Sequence, residues 1–61
     1  MIHEQLPQDS FMLFSFINMK LRDQYSSLDE LCDDLNINRL DLENKLKDAG
    51  FTYDSNLNKF L

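Results

Sequence analysis

Sixty-one residues, 43% of them hydrophobic, are enough for one small packed domain and too few for two, and the composition is not that of a disordered chain. Eleven Asp and Glu against six Lys and Arg give a net charge of −5, and Lys20, Arg22, Arg39, Lys45, Lys47 and Lys59 never form a block, which weighs against long-range attraction to nucleic acid or anionic lipid. The lone Cys32, an N-terminus without the basic-then-apolar layout of a signal peptide, and the lack of any apolar run near ~18 residues exclude a disulfide-stapled scaffold and a membrane span, and predict a cytoplasmic protein.

The elements, taken in chain order, predict a single domain over residues 1–61. Residues 1–8 read as an extended arm, because Leu6 precedes Pro7 and is pushed out of the α region. Asp9 is a good N-cap for a first helix over 10–24. On a 100° wheel Leu13, Phe14, Ile17, Leu21 and Tyr25 share one side, while Ser15, Asn18 and Arg22 form a narrow wet stripe. Met12, Phe16 and Met19 make a second apolar cluster, which one amphipathic face does not require. The arm, the C-terminal segment or another molecule must cover it.

Ser27 and Glu30 form a capping box for a second helix over 28–35, with Leu28, Leu31, Cys32 and Leu35 on its inner side. Its acids Asp29, Glu30, Asp33 and Asp34 sit outward and close to the favourable end of the helix dipole. Asn36 is placed to adopt the left-handed conformation that stops a helix, Ile37 turns inward, and Asn38 caps a third helix over 39–49 with Leu42, Leu46 and Ala49 inward. Gly50 is the residue expected just past the helix end, and Phe51 falls where a Schellman hydrophobic contact belongs. Residues 51–61 alternate, turn at "DSNLN" and return through "KFL", a short hairpin with Phe51, Tyr53 and Phe60 facing the core. The fold class is therefore mostly α: three helices, a helix-turn-helix-like second half and a C-terminal β-hairpin.

Leu31, Cys32, Leu35, Asn36, Ile37, Leu42 and Leu46 carry the helix-turn-helix pattern, with a small residue where two helices approach and a turn former at the corner. A nucleic-acid-binding regulator on this scaffold would read through Arg39, Asn44 and Lys47. Residues 28–50 hold seven acids and three bases, a net of −4, so that surface starts at an electrostatic deficit against phosphate and a structural role is preferred. The favoured partner-binding residues are instead Met12, Phe16, Met19 and Leu40, with Leu57 extending the patch, for a protein partner or a second copy. Their alternative role is a second layer of core under the arm and hairpin, which small domains commonly need.

Catalysis has little to build on. His3 stands alone, Cys32 falls on an inner helix face, Asp33 and Asp34 point to different sides, and there is no Gly-rich phosphate loop. Asp54, Asn56 and Asn58 resemble the start of a calcium loop, but Lys59 replaces its glycine and no closing Glu follows. No catalytic, cofactor or metal residues are expected.

The run "LPQDSFMLFSFINMKLRDQYSSLDELCDDLNINRLDLENKLKDAGFTYDSNLNKFL", above all "FINMKLRDQYSSLDELCDDLNI" and "GFTYDSNLNKF", resembles a family of short bacterial proteins known as domain of unknown function 4250. The resemblance covers residues 6–61. It departs at Ser10, where the family more often has proline, a change of little consequence in a first helical turn. It implies a small free-standing bacterial protein and brings no activity, substrate or catalytic residue. Within it, the polar residues of "KLRD" (Lys20, Arg22 and Asp23) either pair with the acids of the second helix, the favoured reading, or meet a partner.

Overall fold

A computed structural model describes residues 6–61. The expected arm falls mostly on residues 1–5, which lie outside the described residues. The element order is α1 (Ser10–Asp23), α2 (Leu28–Leu35), α3 (Arg39–Asp48), β1 (Tyr53–Asp54) and β2 (Lys59–Phe60). This is a mostly helical domain closed by a two-stranded antiparallel hairpin.

Each helix begins where a short polar side chain captures an orphan N–H. The Asp9 carboxylate accepts from the Met12 N–H at 3.0 Å, Ser27 Oγ from the Glu30 N–H at 3.1 Å, and Asn38 Oδ1 from the Asp41 N–H at 3.0 Å. The expected capping box differs in one detail. Glu30 reaches back past Ser27 and accepts from the N–H (3.0 Å) and hydroxyl (2.8 Å) of Ser26.

The two later helices end by the same device. Asn36 adopts φ 59° and ψ 47°, and the N–H groups of Ile37 and Asn36 donate to the carbonyls of Cys32 (2.8 Å) and Asp33 (3.4 Å). Gly50 adopts φ 96°, and the N–H groups of Phe51 and Gly50 donate to the carbonyls of Leu46 and Lys47, both at 2.9 Å. Both are Schellman pairs, one built on asparagine and one on glycine. Because α3 ends at Asp48, Ala49 lies in the closing turn and is exposed, not inward as its spacing predicts.

The core is Leu13, Ile17 and Leu21 from α1, Leu28, Leu31 and Cys32 from α2, Leu42 and Leu46 from α3, and Phe60 from β2. Leu6, Phe14, Phe16, Tyr25, Leu35, Ile37, Phe51 and Tyr53 pack around it, partly buried. The second Schellman turn throws Phe51 back across α1, where its ring stacks on Phe14 with centroids 3.9 Å apart.

The hairpin pairs Tyr53 with Phe60 and Asp54 with Lys59. Thr52 and Leu61 exchange both backbone hydrogen bonds at 2.9 Å, so the next pair, Tyr53 and Phe60, is a non-hydrogen-bonded one. The N–H and C=O of Phe60 therefore face away from β1, toward α1. There the Asn18 side-chain amide takes both: Phe60 N–H donates to Asn18 Oδ1 at 2.7 Å and Asn18 Nδ2 donates to the Phe60 carbonyl at 3.0 Å. Asn18 is thus half-buried and structural, not part of a wet stripe.

Candidate interaction surface

Asn58 sets where the hairpin tip sits. Asp54 Oδ1 holds the tip by accepting from the N–H groups of Asn56 (2.9 Å) and Leu57 (3.1 Å), and Asn58 closes it with φ 54°. The Asn58 amide then donates to the carbonyls of Leu21 (3.3 Å) and Tyr25 (3.0 Å), the loose end of α1. Tyr53 Oη donates to Asn58 Oδ1 at 2.7 Å and accepts from the Leu28 N–H at 3.2 Å, tying in the start of α2. The residues that resemble a calcium-loop opening thus build a hairpin turn and a clamp. Among the described residues, no group of three His, Cys, Asp or Glu side chains is placed to hold a metal ion.

This clamp projects Leu57 beside α1. A groove of about 680 Å³ runs between them, lined by Phe14, Ser15, Asn18 and Met19 on the helix side and by Leu57 and Lys59 on the hairpin side. Around it the outward surface of α1 is apolar: Phe11 is 64% exposed, Met12 60% and Met19 43%, with Leu57 58% across the groove. Ser15 lies four residues after Phe11, three after Met12 and four before Met19, so all three surround it on the helix surface. No Asp or Glu occurs from Ser10 to Arg22.

The four residues expected to bind a partner separate in space. Met12 and Met19 share this outward face. Phe16 does not: it is half-buried against the core, and the Lys20 ammonium lies 5.4 Å from its ring centroid. Leu40 is 64% exposed but belongs to α3 and is not among the residues lining the Met19 groove. Phe11, which the wheel does not single out, joins the patch. The described part of the arm does not cover it: Leu6 and Pro7 line a separate groove of about 280 Å³ with Leu13, Ile37 and Leu42.

The residues of the nucleic-acid alternative are placed differently. Arg39 Nη1 donates to Asp29 at 2.7 Å and Arg39 Nε to Glu43 at 3.1 Å, and the guanidinium lies 5.5 Å from the Tyr53 ring centroid. The bond to Asp29 is the main reason the guanidinium holds its proton even more firmly than usual. Asn44 and Lys47 are exposed on α3. For Arg22 and Asp23 the "KLRD" expectation is corrected. Arg22 pairs with its neighbour Asp23, Nε to Oδ1 at 3.0 Å, and not with the acids of α2, and that hydrogen bond holds the Asp23 carboxyl below its ordinary range. The α2 acid with a partner from the end of α1 is Asp34, which accepts from Tyr25 Oη at 2.5 Å. Burial pushes the Cys32 thiol up, away from the reactive thiolate.

No helix among the described residues is long and apolar enough to cross a membrane. Residues 7–60 match a family model described as a domain of unknown function (DUF4250). No curated protein and no solved structure matches the chain.

Proposed function

The chain belongs to the DUF4250 family of domains of unknown function, and we propose that it is a non-catalytic protein–protein interaction module, on a helix-turn-helix-like scaffold, that docks through the outward face of α1. The observation that carries this reading is the clustering of Phe11, Met12 and Met19, with Leu57 across a groove, on one side of a chain with only 61 residues. A small domain has few large apolar side chains to leave in water, and methionines suit an adaptable contact. The rival role, a nucleic-acid regulator reading through Arg39, Asn44 and Lys47, requires Arg39 to abandon Asp29 and Glu43 on a surface that is already acidic.

The test is the double variant Met12→Glu, Met19→Glu. Both side chains are exposed, so the variant is expected to keep the helical circular dichroism and thermal midpoint of the wild type while losing its association, with itself or with proteins captured from the source cell. The reading fails if wild type and variant capture the same proteins and both sediment as monomers at every concentration.

A further inference from the structure

The outward face of α1 has a pattern that complements itself. Met12, Ser15, Met19 and Arg22 follow one another at spacings of three, four and three residues, the seam by which one helix packs on another. Met12 and Met19 stand two turns apart, about 10 Å along the axis, with the small Ser15 between them. Arg22, an exposed cation, lies at one end of the helix, and Asp9, an exposed anion, at the other. A second α1 laid antiparallel, with a twofold axis passing between positions 15 and 16, brings Met12 of each copy to Met19 of the other. The same operation brings Arg22 of each copy toward Asp9 of the other, a cation to an anion. Ser15 meets its own symmetry mate, where a small side chain lets two helices approach closely.

Resting on the interaction reading above, we infer that the occupant of this face is a second copy of the chain, docked as an antiparallel α1–α1 pair about Ser15. Charge decides for this occupant. A chain of net −5 repels its own copy over most approaches, yet residues 10–22 contain no Asp or Glu, and the acids Asp29, Glu30, Asp33 and Asp34 lie on α2. The twofold also matches opposite charges at both ends, where a parallel pair would set Arg22 on Arg22 and Asp9 on Asp9. Arg22 leaves or shares its pair with Asp23 to do so, a small cost because both side chains are exposed (76% and 52%). A standard interface buries about 800 Å² per partner, nearly a fifth of the 4348 Å² surface here, so a contact along one 14-residue helix belongs to the weak, reversible class.

The test combines sedimentation with a cross-link. Wild type is expected to shift from monomer toward dimer as its concentration rises to about 1 mM, and Arg22→Glu to displace that transition to higher concentration. Ser15→Cys, under mild air oxidation, is expected to give a disulfide dimer much faster than Leu40→Cys at equal concentration, because only the former stands on the axis. Wild type, whose Cys32 is buried, is the cross-linking background. A wild type that stays monomeric at about 1 mM overturns the second copy as occupant. If protein capture still depends on Met12 and Met19, the interaction reading survives that result. A dimer in which Ser15→Cys cross-links no faster than Leu40→Cys overturns the antiparallel geometry.

Discussion

Arg39, on α3, is held by Asp29 of α2 and by Glu43 one turn along its own helix, and the start of α2 is closed by Ser26, Ser27 and Glu30. In the α2–α3 half, then, the side chains of Glu30 and Arg39 are answered by neighbours within about ten residues of chain. The α1–hairpin half is held differently. Asn18 grips Phe60, and Asn58 grips Leu21 and Tyr25, across separations of 33 to 42 residues. The α2–α3 half carries the sequence pattern expected of a helix-turn-helix, and its Arg39 is already paired with Asp29 and Glu43. The α1–hairpin half has the outline of mere support, yet it exposes Phe11, Met12, Met19 and Leu57. The contrast teaches that the half with the familiar DNA-reading outline already commits its Arg39 to neighbouring acids, while the half without a familiar outline is the one that leaves a cluster of apolar side chains uncovered.

The contrast breaks first at Phe60, the only core side chain from the hairpin. Phe60→Ala should cost about 3–5 kcal/mol. A domain of this size has little more than that to lose, so the variant is expected to lack a cooperative thermal transition at room temperature. A stable, cooperatively melting Phe60→Ala protein would show that the helices stand without the hairpin. Asn18→Ala is the next step down. It leaves the N–H and C=O of a buried residue without partners and should cost about 1–3 kcal/mol, a midpoint drop of about 4–8 °C per kcal/mol in a domain this small. A drop no larger than that of an exposed substitution would mean that water replaces the amide freely.

Asn18 also marks the limit of what the sequence discloses. The inner stripe Leu13, Ile17, Leu21 and its counterparts Leu28, Leu31, Cys32, Leu42 and Leu46 are legible because helical spacing is local. Asn36 and Gly50 are legible because few residue types accept a left-handed backbone. Asn18 reads as a wet position, since its partner is 42 residues away and is turned toward it only by the Tyr53–Phe60 register. Phe16 leaves the exposed cluster and Phe11 joins it for a related reason. The wheel orders residues around α1 but does not say which flank a neighbour covers: Phe16 packs on the core, while Phe11 stays largely exposed with its ring 6.0 Å from Phe14. Ala49 fails as a core residue because the chain stops being helical one residue before it.

The α2–α3 half should answer mutation more mildly. Asn36→Gly removes the side-chain cost of the left-handed corner while keeping its backbone bonds, and is expected to raise stability by a few tenths to about 1 kcal/mol, whereas Asn36→Ala should lower it. A higher denaturation midpoint for the glycine variant with an unchanged denaturant slope checks this. Arg39→Ala removes two ion pairs with exposed or half-exposed partners, and after screening by solvent should cost less than about 1 kcal/mol. Its stability should grow less sensitive to added salt. A loss several times larger would show Arg39 to be a structural keystone.

The smallest expected effect concerns Glu30, which holds the start of α2 from outside the core. Hydrogen bonds donated by the backbone N–H and the hydroxyl of Ser26 favour its ionised form and hold its carboxyl below the ordinary value of 4.5. A group whose folded value is depressed binds fewer protons folded than unfolded, so its contribution is fully present above the unfolded value and disappears as pH falls through the folded one. Thermal midpoints measured downward from pH 6 should therefore decline once the pH passes below about 4.5. Glu30→Gln, whose amide oxygen still accepts from Ser26 but does not titrate, should make that decline shallower. It should leave the midpoint above pH 6 lowered only slightly. Asp23, depressed by Arg22 in the other half, keeps part of the acid slope in the variant, so the slope should shrink without vanishing. An acid limb identical in Glu30→Gln and wild type would mean that Ser26 binds the carboxylate no better than water does, and that the capping of α2 rests on Ser27 alone.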